Sequence, residues 1–204
     1  IMAFWNAPIP LEDHQYHAAR AALAIRRAVA ALNDDPAMHA LLEERGAPRL
    51  AVRVGIASGP ACVGNMGSSE RFDYSVLGET VNTAARTEAT CKSIGHDVAI
   101  AGDLLGRTSS LATLYAGSLP MKGKSRPEPV HIVLGDEAQA TAPHFQQFRK
   151  TYNELIDLMV KSRGKKLPAA RLALFGELAA QHPTLAPYFD RLVKRRDDFT
   201  SSVA

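Results

Sequence analysis

Apolar residues recur at helical spacing from Glu12 to Leu32, where Ala18, Ala22, Ile25, Val29 and Leu32 form one stripe. Asn33-Asp34-Asp35-Pro36 ends this helix and starts a short second one, to about Arg45. Leu50, Val52, Val54 and Ile56 then alternate along a strand that runs to Gly59. Gly59-Pro60 marks a turn and Ala61–Met66 a return strand, so a β-hairpin is predicted here. Arg71–Leu77 is apolar around Tyr74, Val76 and Leu77 and suits a strand. Gly78 breaks it, Glu79 and Thr80 suit a helix entrance, and Val81–Thr90 reads as helix. Asp97–Ala101 is a short strand and Asp103–Arg107 a brief helix. Leu111–Leu119 and Pro129–Leu134 are late strands around a Lys122-Gly123-Lys124 turn. Ile1–Trp5 is also strand-like, followed by an extended Asn6–Pro10 loop that proline excludes from helix and ladder. Helices interleaved with strands predict an α+β fold with helices on one side of a sheet.

The pattern changes after Asp136. Three helical stretches follow, at about 144–162, 167–181 and 184–198, separated by Gly164-Lys165-Lys166 and His182-Pro183. The predicted organisation is a core over residues 1–135 and a helical extension over 136–204, serving packing, dimer contact or regulation.

Composition sets the class. With 204 residues, 46% hydrophobic and 22% charged, the chain reads as a soluble globular protein. No apolar run approaches the ~20 residues that span a bilayer, and no signal-peptide pattern is present. A cytoplasmic location is therefore expected, either free or as the cytoplasmic part of a membrane-anchored parent. The chain opens on Ile1 and directly on a strand-like segment, which leads us to expect a piece of a longer protein. Cys62 and Cys91 are read as small buried thiols, a single disulfide being left open. Residues 1–144 carry 13 basic and 15 acidic side chains, and residues 145–204 carry 11 and 6. The basic end is spread along helical patterns with few aromatics. That favours a solvated face or an acidic partner over nucleic acid, for which a row of stacking aromatics is lacking.

Asn82 and Arg86 stand four residues apart on the predicted helix, so an amide and a guanidinium leave one face a turn apart. Such a pair can orient a hydroxyl and hold an anionic oxygen. By spacing alone, the better reading is an exposed Asn and a solvated Arg that close the helix surface.

The stretch Arg71–Arg86 resembles the C-terminal half of the catalytic domain of the class III nucleotide cyclases, the adenylate and guanylate cyclases. The resemblance extends to Ile1–Pro8, Arg53–Ile56, Gly59-Pro60, Val63–Gly67 and Leu119–Val133, in the family's order and spacing. It implies a ferredoxin-like core lacking its first strand region, with the hairpin near the nucleotide. It implies conversion of ATP to 3′,5′-cyclic AMP and pyrophosphate in a homodimer, with Arg86 as the cationic donor and Asn82 as the ribose holder. Ser75 matches the base-selecting position, and a serine there tilts the preference to ATP over GTP. Lys122 and Lys124 match the contact to the triphosphate tail, which of the two being left open. The family holds two Mg²⁺ or Mn²⁺ ions with two aspartates. Both match positions upstream of Ile1, as does the base-recognition lysine. The 204 residues alone are therefore expected not to turn over. The other reading is a non-catalytic cyclase-like module that binds nucleotide or mediates regulatory dimerisation.

Overall fold

The computed structural model describes residues 1–68, 71–120, 126–162 and 169–194. In chain order these form α1 (His14–Asp34), α2 (Pro36–Glu44), β1 (Val54–Ala57), β2 (Cys62–Ser68), β3 (Arg71–Leu77), α3 (Glu79–Ile94) and β4 (Val98–Ala101). Then come β5 (Ala112–Leu119), β6 (Glu128–Gly135), α4 (Glu137–Thr141), α5 (Pro143–Ser162), α6 (Ala169–Gln181) and α7 (Ala186–Lys194). The architecture is α+β, as expected. None of the described helices is long and apolar enough to cross a membrane.

A four-stranded sheet has the order β1-β4-β6-β5. β1 and β4 run parallel, and β6 lies antiparallel to both β4 and β5. The predicted hairpin between the Leu50–Gly59 and Ala61–Met66 strands is not formed. β2 pairs with β3 instead, from Cys62 opposite Leu77 to Ser68 opposite Arg71. The reason lies at Gly59-Pro60. Proline has no N–H to donate to a ladder, and the Pro60 carbonyl accepts the Thr80 hydroxyl at 2.7 Å. The chain is thus turned off the sheet, and β1 finds a parallel partner across the long connection that includes α3. Leu50 is not in a strand either, because the Asn33 side chain pairs with both its N–H and its carbonyl at 2.8 Å.

Ile1–Trp5 forms no strand. Its apolar side chains are used in packing without a ladder: the Phe4 ring lies 6.0 Å from that of Tyr74, and Trp5 rests on the cluster under α1.

Helices cover both faces of the sheet rather than one. Tyr16, Ala19, Ala22 and Leu23 of α1 pack with Ile56, Val98, Ile100 and Val133 on one face. Cys91 and Ile94 of α3 pack on the other with Ala99, Ala101, Leu114 and Ile132. All four β4 residues are buried, which is the signature of a strand sandwiched between two layers. The α1 stripe is correspondingly displaced from the predicted one. Ile25 and Leu32 are exposed, because beyond Leu23 the helix is tied inward by polar links, Arg26 to the Val133 and Leu134 carbonyls and Asn33 to Leu50.

The C-terminal helices join the α3 side of the sheet. Phe145, Phe148, Tyr152, Leu155, Met159, Phe175, Tyr188 and Phe189 belong to the same buried cluster as β4, β5 and β6. The Tyr152 hydroxyl donates to the Tyr115 carbonyl on β5 at 2.5 Å. Of the two thiols only Cys91 is buried; Cys62 is exposed, and both are free. Burial pushes the Cys91 thiol up to about 12, so it is an inert core group.

Candidate active site

The strand–turn–helix unit of β3, Gly78 and α3 sets the site. Gly78 has φ 147°, a region that favours glycine, and a Cβ there would stand 3.4 Å from the Pro60 carbonyl oxygen. Thr80 then bonds that same carbonyl, so the 59–60 turn and the first turn of α3 are joined.

The inner face of α3 determines which residues point outward. Thr83, Thr87, Cys91 and Ile94 are buried, and the Thr83 and Thr87 hydroxyls bond the carbonyls of Glu79 and Thr83 at 2.9 and 2.7 Å. Opposite them Gly55 leaves no gap. A Cβ at Gly55 would come 2.1 Å from the Glu88 amide nitrogen and 2.2 Å from the Ala84 carbonyl oxygen. With α3 seated backbone to backbone on β1, Asn82 and Arg86 emerge on the outside. Asn82 is exposed, and the Arg86 side chain is 30% exposed.

The two side chains meet on one carboxylate. Arg86 donates from a terminal guanidinium nitrogen to Oε1 of Glu79 at 2.6 Å, and the Asn82 amide lies 3.5 Å from Glu79 Oε2. From sequence Glu79 reads only as a helix-entrance residue. The signal for its second role was its position, three residues before Asn82 and seven before Arg86, on the same face.

Ser75 is half-buried on β3, opposite Gly64 of β2. A Cβ at Gly64 would meet nothing within 4 Å, so the hairpin is open beside it. Lys122 and Lys124 lie outside the described residues. Among the described residues no group of three or more His, Cys, Asp or Glu side chains could hold a metal ion. Two grooves of about 300 and 450 Å³ lie between α5 and α6, lined by Leu155, Leu158 and Leu174 and by Phe148, Leu178 and His182 respectively. Neither is lined by a residue of α3. Asn82 is exposed and Arg86 half-buried on this face of α3.

Residues 2–134 match the family of the adenylate and guanylate cyclase catalytic domain, and the chain belongs to that family. It is 34% identical over 136 residues to adenylate cyclase 1 of Rhizobium meliloti (strain 1021), covering 66% of this chain and 20% of the relative. It is 31% identical over 111 residues to an adenylate cyclase of Anabaena cylindrica, covering 52% of this chain and 22% of that one. The chain thus spans about a fifth of the length of these curated relatives. Among solved structures, the adenylyl cyclase CyaB from P. aeruginosa is similar at a TM-score of 0.47 and 23% identity, over 63% of this chain and 64% of that one.

Proposed function

We propose that this chain supplies the Asn/Arg half of a nucleotide-cyclising site, completed by a second protomer, and that its substrate is ATP. The 3′-hydroxyl oxygen of the ribose bonds to the α-phosphorus and its proton passes to solvent water. The bond from that phosphorus to the bridging oxygen breaks, and pyrophosphate leaves. Negative charge gathers on the phosphoryl oxygens during this exchange, and a preplaced guanidinium lowers its energy. Arg86 has that role. Asn82 bonds the ribose and keeps the hydroxyl in line. Ser75 faces the base and favours adenine, and Lys122 or Lys124 holds the triphosphate tail. In this reading the partner protomer brings the carboxylates for divalent metal, and this chain contributes its amide and its guanidinium.

The observation that carries the reading is the exposed Asn82–Arg86 pair, one turn apart at the start of a helix, in a chain of this family. The test is complementation. The chain is mixed with a family member that retains its metal aspartates but lacks the arginine, and is supplied with ATP or GTP and Mn²⁺. Cyclic AMP formed by the mixture but by neither part alone is the expected result. No cyclic nucleotide from the mixture overturns the shared site. Retained ATP binding without product assigns the chain to the non-catalytic reading instead.

A further inference from the structure

We propose that Glu79 gates this half-site, its carboxylate holding Arg86 in the free protein and yielding it to the triphosphate. The proposal rests on the cyclising role of Arg86 and adds a residue to it. Glu79 is the first residue of α3, and Arg86 reaches back two turns to it, the direction in which long helical side chains lean. At 2.6 Å this is a short, charge-assisted contact. The other carboxylate oxygen faces the Asn82 amide at 3.5 Å. One anion therefore touches both groups that a nucleotide needs.

Two consequences follow from elementary electrostatics. An incoming phosphate competes with the carboxylate for Arg86, since one guanidinium nitrogen is already engaged. The displaced carboxylate then stands near a multiply charged anion and repels it. Both effects oppose binding, so removing the charge at position 79 tightens it. The exchange is feasible because the Glu79 side chain is 56% exposed, and an exposed ion pair is weakly held. A triphosphate presents several oxygens to the five N–H donors of Arg86 and outcompetes one carboxylate.

The sign of the effect makes the test decisive, because damage to a site weakens binding whereas opening a gate strengthens it. ATP affinity is measured by titration calorimetry for the chain, for Glu79→Gln, for Arg86→Ala and for the double variant. Glu79→Gln is expected to bind ATP about three- to tenfold more tightly, the scale of an exposed ion pair plus the lost repulsion. In the Arg86→Ala background Glu79→Gln is expected to tighten binding by a smaller factor, since only the repulsion is left to remove. Glu79→Asp keeps the charge at the helix entrance but is too short to span two turns. It is expected to tighten binding about twofold, and it decides the matter where Glu79→Gln does not fold. Unchanged or weaker binding by folded Glu79→Gln overturns the gate. So does a gain that is undiminished in the Arg86→Ala background, or the absence of measurable ATP binding by both the chain and Glu79→Gln. The cyclising role fails separately, if Arg86→Ala binds ATP as the unaltered chain does and complements the partner equally well.

Discussion

Asn82 and Arg86 differ in what they can contribute, and their replacements should differ accordingly. Arg86 brings a charge in a planar fork, so Arg86→Ala is expected to lower cyclic AMP formation in the complemented dimer by ~10²–10³, the cost of one transition-state donor. Arg86→Lys restores the charge without the fork and is expected to recover little of that loss. Asn82→Ala removes a neutral bond to the ribose and is expected to reduce the rate more than the ATP affinity. An Arg86→Ala chain that complements at the unaltered rate overturns the assignment. The spacing of these two residues was legible in the sequence because helical geometry is local. Their tie to Glu79 was legible only as a shared helix face, since two long side chains seven residues apart meet only in particular rotamers.

Between elements, the decisive contacts are those that fix α3. Gly55 admits the α3 backbone against β1, and a side chain there would strike main chain that cannot give way. Gly55→Val is therefore expected to cost at least the ~1–3 kcal/mol typical of overpacking. A thermal melt reads this as a fall of roughly 2–4 °C per kcal/mol. At the other end of α3, Gly95 caps the helix at φ 84°, and His96 begins the turn into β4. The His96 Nδ1 lies 3.2 Å from both the amide nitrogen and the carbonyl oxygen of Val98. Burial, with the positive charge of Arg26 adding to it, lowers its pKa from 6.5 to about 4. The folded state thus prefers the neutral ring. The stability this contributes is complete above pH 6.5 and is lost as pH falls from there to about 4, where the folded protein also takes up the proton. The loss is of order 3 kcal/mol, at 1.36 kcal/mol per unit. Urea unfolding across that range is expected to show it, and His96→Asn, which cannot titrate, is expected to flatten it. An identical acid slope in both proteins removes His96 as the cause.

For the molecule as a whole, the C-terminal helices and the sheet share one buried cluster. Tyr152 and Tyr188 are fully buried, as are Leu114 and Ile132 of the strands they cover. The helices also grip the site-bearing helix: a Cβ at Gly95 would come 2.5 Å from the Pro187 carbonyl oxygen, and Arg191 bonds the Lys92 carbonyl. On the far side Glu137 of α4 joins Tyr16 and Arg20 of α1. A chain cut after Gly135 would expose this sheet face, at roughly 1.5–3 kcal/mol for each large apolar side chain uncovered. It is expected to aggregate on size-exclusion chromatography and to lose complementation. A monodisperse, complementing 1–135 fragment would mean that the helices are dispensable.

Periodicity determined most of the elements, because a helical stripe or a strand alternation is a property of neighbouring residues. The β3–Gly78–α3 unit and the positions of α5, α6 and α7 are of this kind. The outward pair Asn82 and Arg86 follows from them once the inner face of α3 is known. Partner choice is not local. Whether β1 pairs with β2 or with β4, whether Ile1–Trp5 enters a ladder, and whether Ile25 or Leu23 of α1 meets the sheet depend on which surfaces are brought together. Tertiary structure redirected the chain at Pro60 and Leu50, whose backbone groups bond the distant side chains of Thr80 and Asn33. It decided the chemistry of the surface by the same means, setting a carboxylate against the guanidinium that the sequence had shown alone.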